Sequence, residues 1–235
     1  MQVKALLLAL IAAFLLGSIP WGLIVSRLFF RKDIRSQGSG NIGATNAVRT
    51  LGKAGGAAVF ILDFAKGAAS GIVAAYLYFW LLAGGVVGLG TPASPAGLGL
   101  FTLQMGNMGA QTMMATAYFG CILGHIFSPW LKFRGGKGIS TAVGCVLISF
   151  GWLPMLMELT IFALLVLATR FVSLGSMIAA VTVPFLSLWV YGVNPPNWYA
   201  FAFCALATVA IIWAHRANLR RLRQGTENRL GQAHG

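Results

Sequence analysis

The chain has 235 residues, of which 9 % are charged and 58 % hydrophobic, and its mean hydropathy is +0.81. Lys and Arg number 17 against 4 Asp and Glu, a net charge of +13. An average soluble domain is about a quarter charged, so a water-soluble fold of this size is excluded. The apolar content excludes disorder. The length accommodates about six to eight membrane helices at ~20 residues each.

The first segment opens Met-Gln-Val-Lys and runs apolar over 5–30, with Gly17 and Pro20 inside it. It is longer than a signal-peptide core and no small-x-small cleavage site closes it, so it reads as a retained membrane helix. A polar, basic stretch at 31–53 reads as a loop. The second segment, 54–82, carries Asp63 and Lys66 in its first half. Ionisable residues within a span are functional candidates by default, yet two charges three residues apart can also neutralise each other. A charge-free run rich in Gly and Pro follows at 83–111 and is expected on the outer side, away from any active site. The third segment, 112–131, meets a basic link at 132–137. A short fourth segment, 139–152, is tilted or only partly spans. The fifth is 154–170 and the sixth 172–191. The turn Asn194-Pro195-Pro196-Asn197 leads into the seventh, 198–214, and a basic tail, 215–235, ends the chain. Cys121, Cys145 and Cys204 all lie in apolar runs, which suggests neither a disulfide framework nor a zinc site.

With seven spans the basic residues sort cleanly. Arg27, Arg31, Lys32, Arg35, Arg49 and Lys53 share one side with Lys132, Arg134 and Lys137, with Arg170, and with Arg216, Arg220, Arg221, Arg223 and Arg229. The opposite side has only Lys4. By the positive-inside rule the tail is cytoplasmic. The expectation is therefore an all-α integral membrane protein, a single polytopic domain over 1–235. It has about seven transmembrane helices, amino terminus outside and carboxyl terminus cytoplasmic, with the active site at the cytoplasmic interface.

The residue types with chemistry cluster on that side. Gly38-Ser39-Gly40-Asn41-Ile42-Gly43-Ala44-Thr45-Asn46, with Arg49 beyond, contains a formal G-x-G-x-x-G. No strand–turn–helix unit surrounds it, so the dinucleotide reading is weak. A flexible interfacial loop is the plain alternative. The close spacing of hydroxyl and amide side chains favours a phosphate or polyol site, in which the glycines let backbone amides turn toward an anion. Phe133-Arg134-Gly135-Gly136-Lys137-Gly138 is not a Walker A loop, but it opens a helix. Free amides, the helix dipole and one ammonium would then point at one place. Headgroup binding would explain the charge there, but not three glycines around a lysine. His125, inside the third segment, reads as a packing residue. In the tail, His215 and Asn218 share a helix face. His215 at the membrane surface suits a base or a phosphate ligand. Arg221 and Arg223 read as a lipid anchor, and Glu227 as the partner of a nearby Arg.

Taken in order, these blocks resemble the bacterial acyl-phosphate:glycerol-3-phosphate acyltransferases, the PlsY family. The resemblance is carried by Gly-Ser-Ile-Pro (17–20), Gly-Ser-Gly-Asn-Ile-Gly-Ala-Thr-Asn (38–46), Leu-Asp-Phe-Ala-Lys-Gly (62–67) and Gly-His-Ile-Phe-Ser-Pro (124–129). It continues through Phe-Arg-Gly-Gly-Lys-Gly (133–138), Arg-Phe-Val-Ser-Leu-Gly-Ser (170–176) and His-Arg-Ala-Asn-Leu-Arg-Arg-Leu (215–222). The run 83–111 is longer than the family pattern. The resemblance implies transfer of a fatty acyl group from acyl-phosphate to the 1-hydroxyl of sn-glycerol 3-phosphate. The products would be lysophosphatidic acid and phosphate, as in phospholipid biosynthesis at the bacterial cytoplasmic (inner) membrane. It implies no metal and no cofactor, a monomer in membrane lipid, and no nucleic acid. The catalytic set expected is Ser39, Arg49, Lys137, His215 and Asn218. The substrate-binding set expected is Gly38, Gly40, Asn41, Thr45, Asn46, Gly135, Gly136, Gly138 and Glu227.

Acyl-phosphate is a mixed anhydride, so its leaving group needs charge neutralisation more than protonation, which Lys137, Arg49 and the Gly135–Gly138 amides would supply. The hydroxyl proton has two candidate acceptors, His215 and a phosphate oxygen of the substrate. An acyl-enzyme at Ser39 is disfavoured because no His–Asp pair accompanies it. None of His125, His215 or His234 begins a His-x4-Asp signature. A transporter is the competing class, hinted at by the recurrence of Gly40-Asn41-Ile42-Gly43-Ala44 as Gly106-Asn107-Met108-Gly109-Ala110. The second copy has no basic residue nearby, and the polar cluster is interfacial rather than central. A small structural or lipid-sensing membrane protein would leave the Ser, Asn, Lys and His set without a role.

Overall fold

Pro20 shapes the first span. A proline has no N–H to continue a helix and clashes with the preceding turn, so α1 (Gln2–Ser18) ends and α2 (Trp21–Phe30) begins across Ile19–Pro20. The break frees carbonyls that lipid cannot satisfy. Ser128 Oγ donates to the Ser18 carbonyl at 2.6 Å, and Lys66 Nζ to the Ile19 carbonyl at 2.9 Å. Trp130 Nε1 donates to Ser18 Oγ at 2.9 Å. The structure, a computed structural model, describes residues 2–81, 107–191 and 195–231. Most of the Gly- and Pro-rich run at 83–111, together with Asn194 and His234, lies outside the described residues.

A 3-10 turn (Ile34–Ser36) capped by Asp33 leads to α3 (Ala44–Leu81), which is broken at Gly52, where φ is +80°. The stretch 31–53 is therefore not all loop, as its polarity suggested. Its last third is helical, with Ala47 and Leu51 buried while Thr45 and Arg49 are exposed. The polarity belongs to one face of an amphipathic turn. The chain continues through α4 (Met108–Ile126), a 3-10 turn (Pro129–Leu131), α5 (Ile139–Phe150), α6 (Trp152–Thr169) and α7 (Val172–Val190). It ends with α8 (Trp198–Ala214) and α9 (Arg216–Arg223), which bend by 59° about His215. The α4 N-terminus is capped by Asn107, whose Oδ1 accepts from the Gly109 and Ala110 amides.

α4 is the central helix. Met113, Met114, Tyr118, Cys121 and Ile122 are all buried, and α4 packs on α1, α3, α5 and α8. In lipid there is no hydrophobic drive between helices, so close contact of small residues provides the attraction. Gly17 and Gly124 bring α1 and α4 into backbone contact, and Gly67 and Gly144 do the same for α3 and α5. Leu7, Ile11 and Leu15 of α1, Leu164 and Leu167 of α6, and Leu206 and Val209 of α8 project outward and exposed. Among the described residues four stretches are long and apolar enough to cross a membrane: 2–30 (α1 with α2), 44–81, 152–169 and 172–190. A fifth counts if the bent α8–α9 pair is one span, and α5 is a shorter apolar helix of 12 residues.

Candidate active site

One cavity of about 280 Å³ gathers the polar segments, near the lower end of small-ligand sites. From the first glycine-rich loop it takes Ser39, Asn41, Thr45, Asn46 and Arg49. The basic link contributes Lys137 and Gly138, and the tail contributes His215, Asn218, Arg221 and Glu227. Below them Val143, Leu159, Phe162 and Ala179 extend the cavity between α5, α6 and α7. Three segments far apart in the chain thus face one space.

The first loop is held by Asn46. Its Nδ2 donates to the carbonyls of Ile34, Gln37 and Asn41 at 3.2, 3.1 and 2.8 Å, and its Oδ1 accepts the Ser39 amide at 2.8 Å. Every polar atom of this side chain is spent on the backbone, so Asn46 builds the loop rather than reaching a substrate. The same accounting corrects the glycines. The Gly40 amide donates to the Gln37 carbonyl at 3.0 Å, and Gly38 lines an adjoining groove rather than this cavity. Asn41 accepts from the Gly43 amide at 2.9 Å. Ser39, Thr45 and Arg49 remain exposed to the space, and among the described residues no ion pair engages Arg49.

The basic link folds back on α4. The Gly135 amide donates to the Ile126 carbonyl at 2.9 Å and the Gly136 amide to the His125 carbonyl at 3.1 Å. These amides satisfy the last carbonyls of α4 and are not free for an anion, contrary to the sequence expectation. The glycines are required by closeness, since a Cβ at Gly135 would meet the His125 carbonyl and one at Gly136 would meet the His125 ring. Gly138, at φ +83°, caps α5 without any side chain. Lys137, Gly138, Ile139 and Ser140 thus line the cavity at the start of α5. Burial lowers the Lys137 pKa to about 8; Glu227 opposes that shift, while Arg221 and Arg49 add to it.

His215 sits at the α8–α9 corner, 1 % exposed. Its Nδ1 lies 2.9 Å from the Ile211 carbonyl, so Nδ1 carries the proton and Nε2 is the free acceptor. Burial, and then the charge of Lys137, lower its pKa to about 4; the ring is neutral at pH 7. Asn218 Nδ2 donates to Glu227 Oε1 at 2.6 Å, Ser173 Oγ donates to the same oxygen at 2.8 Å, and Arg221 Nε donates to Oε2 at 2.7 Å. Burial alone would raise the Glu227 pKa, but these hydrogen bonds outweigh it and hold the carboxyl below the usual range. Glu227 is thus a clamp that pins α9 to α7, rather than a substrate ligand. Arg221, read from sequence as a lipid anchor, lines the cavity instead. The Leu230 amide donates to the Arg170 carbonyl at 2.7 Å, which closes the tail over the α6–α7 corner.

A second polar group lies deeper. Lys66 Nζ is 2.8 Å from Asp63 Oδ1 and 2.9 Å from His125 Nδ1, with all three side chains at most 3 % exposed. Asp63 and Lys66 neutralise each other, the plainer of the two readings. His125 is more than packing, since it joins this network and also lines the cavity floor. Sequence reasoning passed over Ser173, Ser140 and Glu158, which also line the cavity. Only the motif Arg-Phe-Val-Ser (170–173) pointed toward the first of these. Among the described residues no three His, Cys, Asp or Glu side chains gather as a metal site.

Comparison with known proteins identifies the family. The glycerol-3-phosphate acyltransferase family model matches residues 7–225. Glycerol-3-phosphate acyltransferases of Rhodopseudomonas palustris and Nitrobacter winogradskyi are 38 % and 39 % identical to it, over 95 % and 96 % of this chain and equal shares of their own. A crystal structure of PlsY (YgiH), an integral membrane glycerol 3-phosphate acyltransferase in its glycerol 3-phosphate form, superposes with a TM-score of 0.73. It is 29 % identical and is matched over 96 % of both chains. The lysophosphatidic acid form gives a TM-score of 0.70 at 28 % identity, over 96 % of this chain and 95 % of that one. The chain is a multi-pass, all-helical membrane protein and belongs to the glycerol-3-phosphate acyltransferase family, PlsY type, whose members acylate glycerol 3-phosphate to lysophosphatidic acid.

Proposed function

We propose that the acyl donor is acyl-phosphate, that the acyl group goes to the 1-hydroxyl of sn-glycerol 3-phosphate, and that the reaction occurs in the cavity between the first loop, the α5 N-terminus and the α8–α9 corner. The observation that carries this is the convergence of Arg49 and Lys137, two cations with no ion pair among the described residues, with a neutral imidazole, His215, on one space. Two substrates that both bear phosphate suit such a site.

The hydroxyl oxygen forms the new ester bond to the acyl carbon while the bond from that carbon to the phosphate oxygen breaks. Lys137 and the opening amides of α5 take up the charge of the leaving phosphate. Ser39, Asn41, Thr45 and Arg49 orient glycerol phosphate, with Gly38, Gly40 and Asn46 shaping their loop and Gly135, Gly136 and Gly138 shaping the opposite wall. His215 Nε2 accepts the hydrogen bond of the attacking hydroxyl. A base with a pKa near 4 is a poor final acceptor at pH 7, so the proton passes to a phosphate oxygen and His215 acts by positioning. Asn218 and Glu227 hold the His215 corner in place. No cofactor, metal or nucleic acid takes part, and the chain works as a monomer in lipid.

The proposal includes seven spans, with the amino terminus outside and the cavity and the basic tail at the cytoplasmic face of the bacterial inner membrane. The support is that Arg49, Lys137 and Arg221, from three segments, line one cavity; basic segments that share a side belong to the cytoplasm by the positive-inside rule. The test is purified protein with labelled glycerol 3-phosphate and palmitoyl-phosphate, scored for 1-acyl lysophosphatidic acid. Product from an acyl thioester but none from acyl-phosphate would overturn the donor. Labelling from outside the cell of a cysteine introduced into the tail would overturn the topology.

A further inference from the structure

Glu158 has no evident business where it lies. It is one of only four acids in the chain, sits within the apolar helix α6 and is 4 % exposed. No hydrogen-bond partner reaches its Oε2 among the described residues. Leaving a polar group unpaired in an apolar medium is costly, and a leucine of similar volume would avoid that cost. Glu158 also lines the cavity that holds Lys137 and His215, together with Val143, Leu159, Phe162 and Ala179. Its electrostatic neighbours are Tyr118 of α4 and Cys145 of α5, so it faces into the bundle rather than toward lipid.

Depth gives the carboxyl a meaning. At a rise of 1.5 Å per residue Glu158 lies about 18 Å along α6 from Arg170 at the polar end. One leaflet of a ~30 Å hydrocarbon core is about 15 Å deep. An acyl chain whose carbonyl rests at Lys137 and whose tail descends past Val143, Phe162 and Ala179 therefore brings its last methylenes to Glu158. Above that level each methylene meets apolar side chains, but at Glu158 it meets an unpaired carboxyl.

We propose that Glu158 is a specificity-determining residue that sets the acyl-chain length this enzyme accepts. This rests on the reading of the cavity as the acyl site. Chains that stop short of the carboxyl are bound well, and chains that reach it are penalised because they press methylenes against a polar group and exclude any water that would solvate it. The acyl-bearing product gives a test that does not depend on the donor.

Binding of lysophosphatidic acids with 12, 14, 16 and 18 carbons is measured on purified protein in nanodiscs, for the wild type, Glu158→Leu, Glu158→Gln and Arg49→Ala, since this product keeps the glycerol phosphate that Arg49 holds. In Glu158→Leu the affinity for the longest chain relative to the shortest should rise about tenfold or more, the range that one or two methylenes command in an apolar pocket. Glu158→Gln, still polar, should keep the wild-type order, which separates polarity from loss of charge or packing. A chain-length order in Glu158→Leu parallel to the wild type, with binding still dependent on Arg49, would overturn the assignment and leave the acyl site standing. Binding indifferent to Arg49→Ala at every length would overturn the site itself, and this assignment with it.

Discussion

Lys66 and Lys137 are both drawn in from solvent in the same helix bundle, and they differ in what surrounds the ammonium. Lys66 Nζ has Asp63 Oδ1 at 2.8 Å, the Ile19 carbonyl at 2.9 Å and His125 Nδ1 at 2.9 Å. Of the three protons of an ammonium, two are placed in hydrogen bonds, and the Asp63 carboxylate beside it balances the charge. Lys137 has no hydrogen bond or ion pair among the described residues, and the carboxylate whose charge acts on it, Glu227, is already taken by Ser173, Asn218 and Arg221. A saturated cation ties helices together, whereas an unsaturated one awaits an anion. The distinction separates framework from site in a chain where nearly every ion is basic.

Mutation should separate the two lysines by readout. Lys66→Ala strands Asp63 and the Ile19 carbonyl, and breaking a buried pair by removing one partner costs about 3–5 kcal/mol. A large drop in melting temperature in detergent is expected. Lys66→Met combined with Asp63→Leu should recover much of it, because no buried charge is then left alone. If Lys66→Ala melts like the wild type while turnover collapses, the framework role is wrong.

Lys137→Ala should leave the melting temperature close to wild type and lower turnover by about 10²- to 10³-fold, the usual cost of removing one stabiliser of transition-state charge. Equal losses of stability and activity would erase the contrast with Lys66.

The pH profile sharpens the comparison further. The Lys137 pKa is lowered to about 8, so its charge is present below that value and lost as pH rises through it. Turnover should fall about tenfold per pH unit above ~8. Lys137→Arg should lack this alkaline limb, since a guanidinium stays charged. On the acid side the His215 pKa of about 4 keeps Nε2 free until pH falls through that value, so this ring contributes no loss near pH 6, where only the substrate phosphate titrates. A fall centred near 6.5 that His215→Gln abolishes would contradict the buried, neutral ring.

The smallest effect is expected at Asp33. Hydrogen bonds from Arg35, and more weakly from Arg27, hold its carboxyl below the usual range against the opposing effect of burial. The pairs are nevertheless largely exposed, and such pairs contribute ~0–1 kcal/mol. Arg35→Ala should shift melting by no more than a degree or two and leave turnover unchanged. A large loss would mean that the first loop depends on this surface cluster rather than on Asn46.

Much of the fold was legible in the chain itself. The helices from α4 onward begin and end within a few residues of the expected limits, because apolar runs in lipid must be helical and Gly, Pro and basic residues mark their ends. The segment 44–51 was misread because a polar face toward a cavity looks like a loop when the cavity is not visible. The candidate residues were legible by type, but their roles were not. Asn46, Gly135 and Gly136 have the chemistry of ligands and are spent on the chain's own backbone. Arg221 looked like a surface charge and lines the site.

The sequence by itself determined the solvent, through the scarcity of ions; the secondary structure, through long apolar runs; and the family, through seven ordered blocks. Only the tertiary structure decided which donors and acceptors remained free. A hydrogen bond satisfies one group by consuming another, and here the partners are far apart in the chain: Lys66 with Ile19, Ser128 with Ser18, and Glu227 with Ser173. What is left over after those pairings, chiefly Lys137, Arg49 and one nitrogen of His215, is the chemistry available to a substrate.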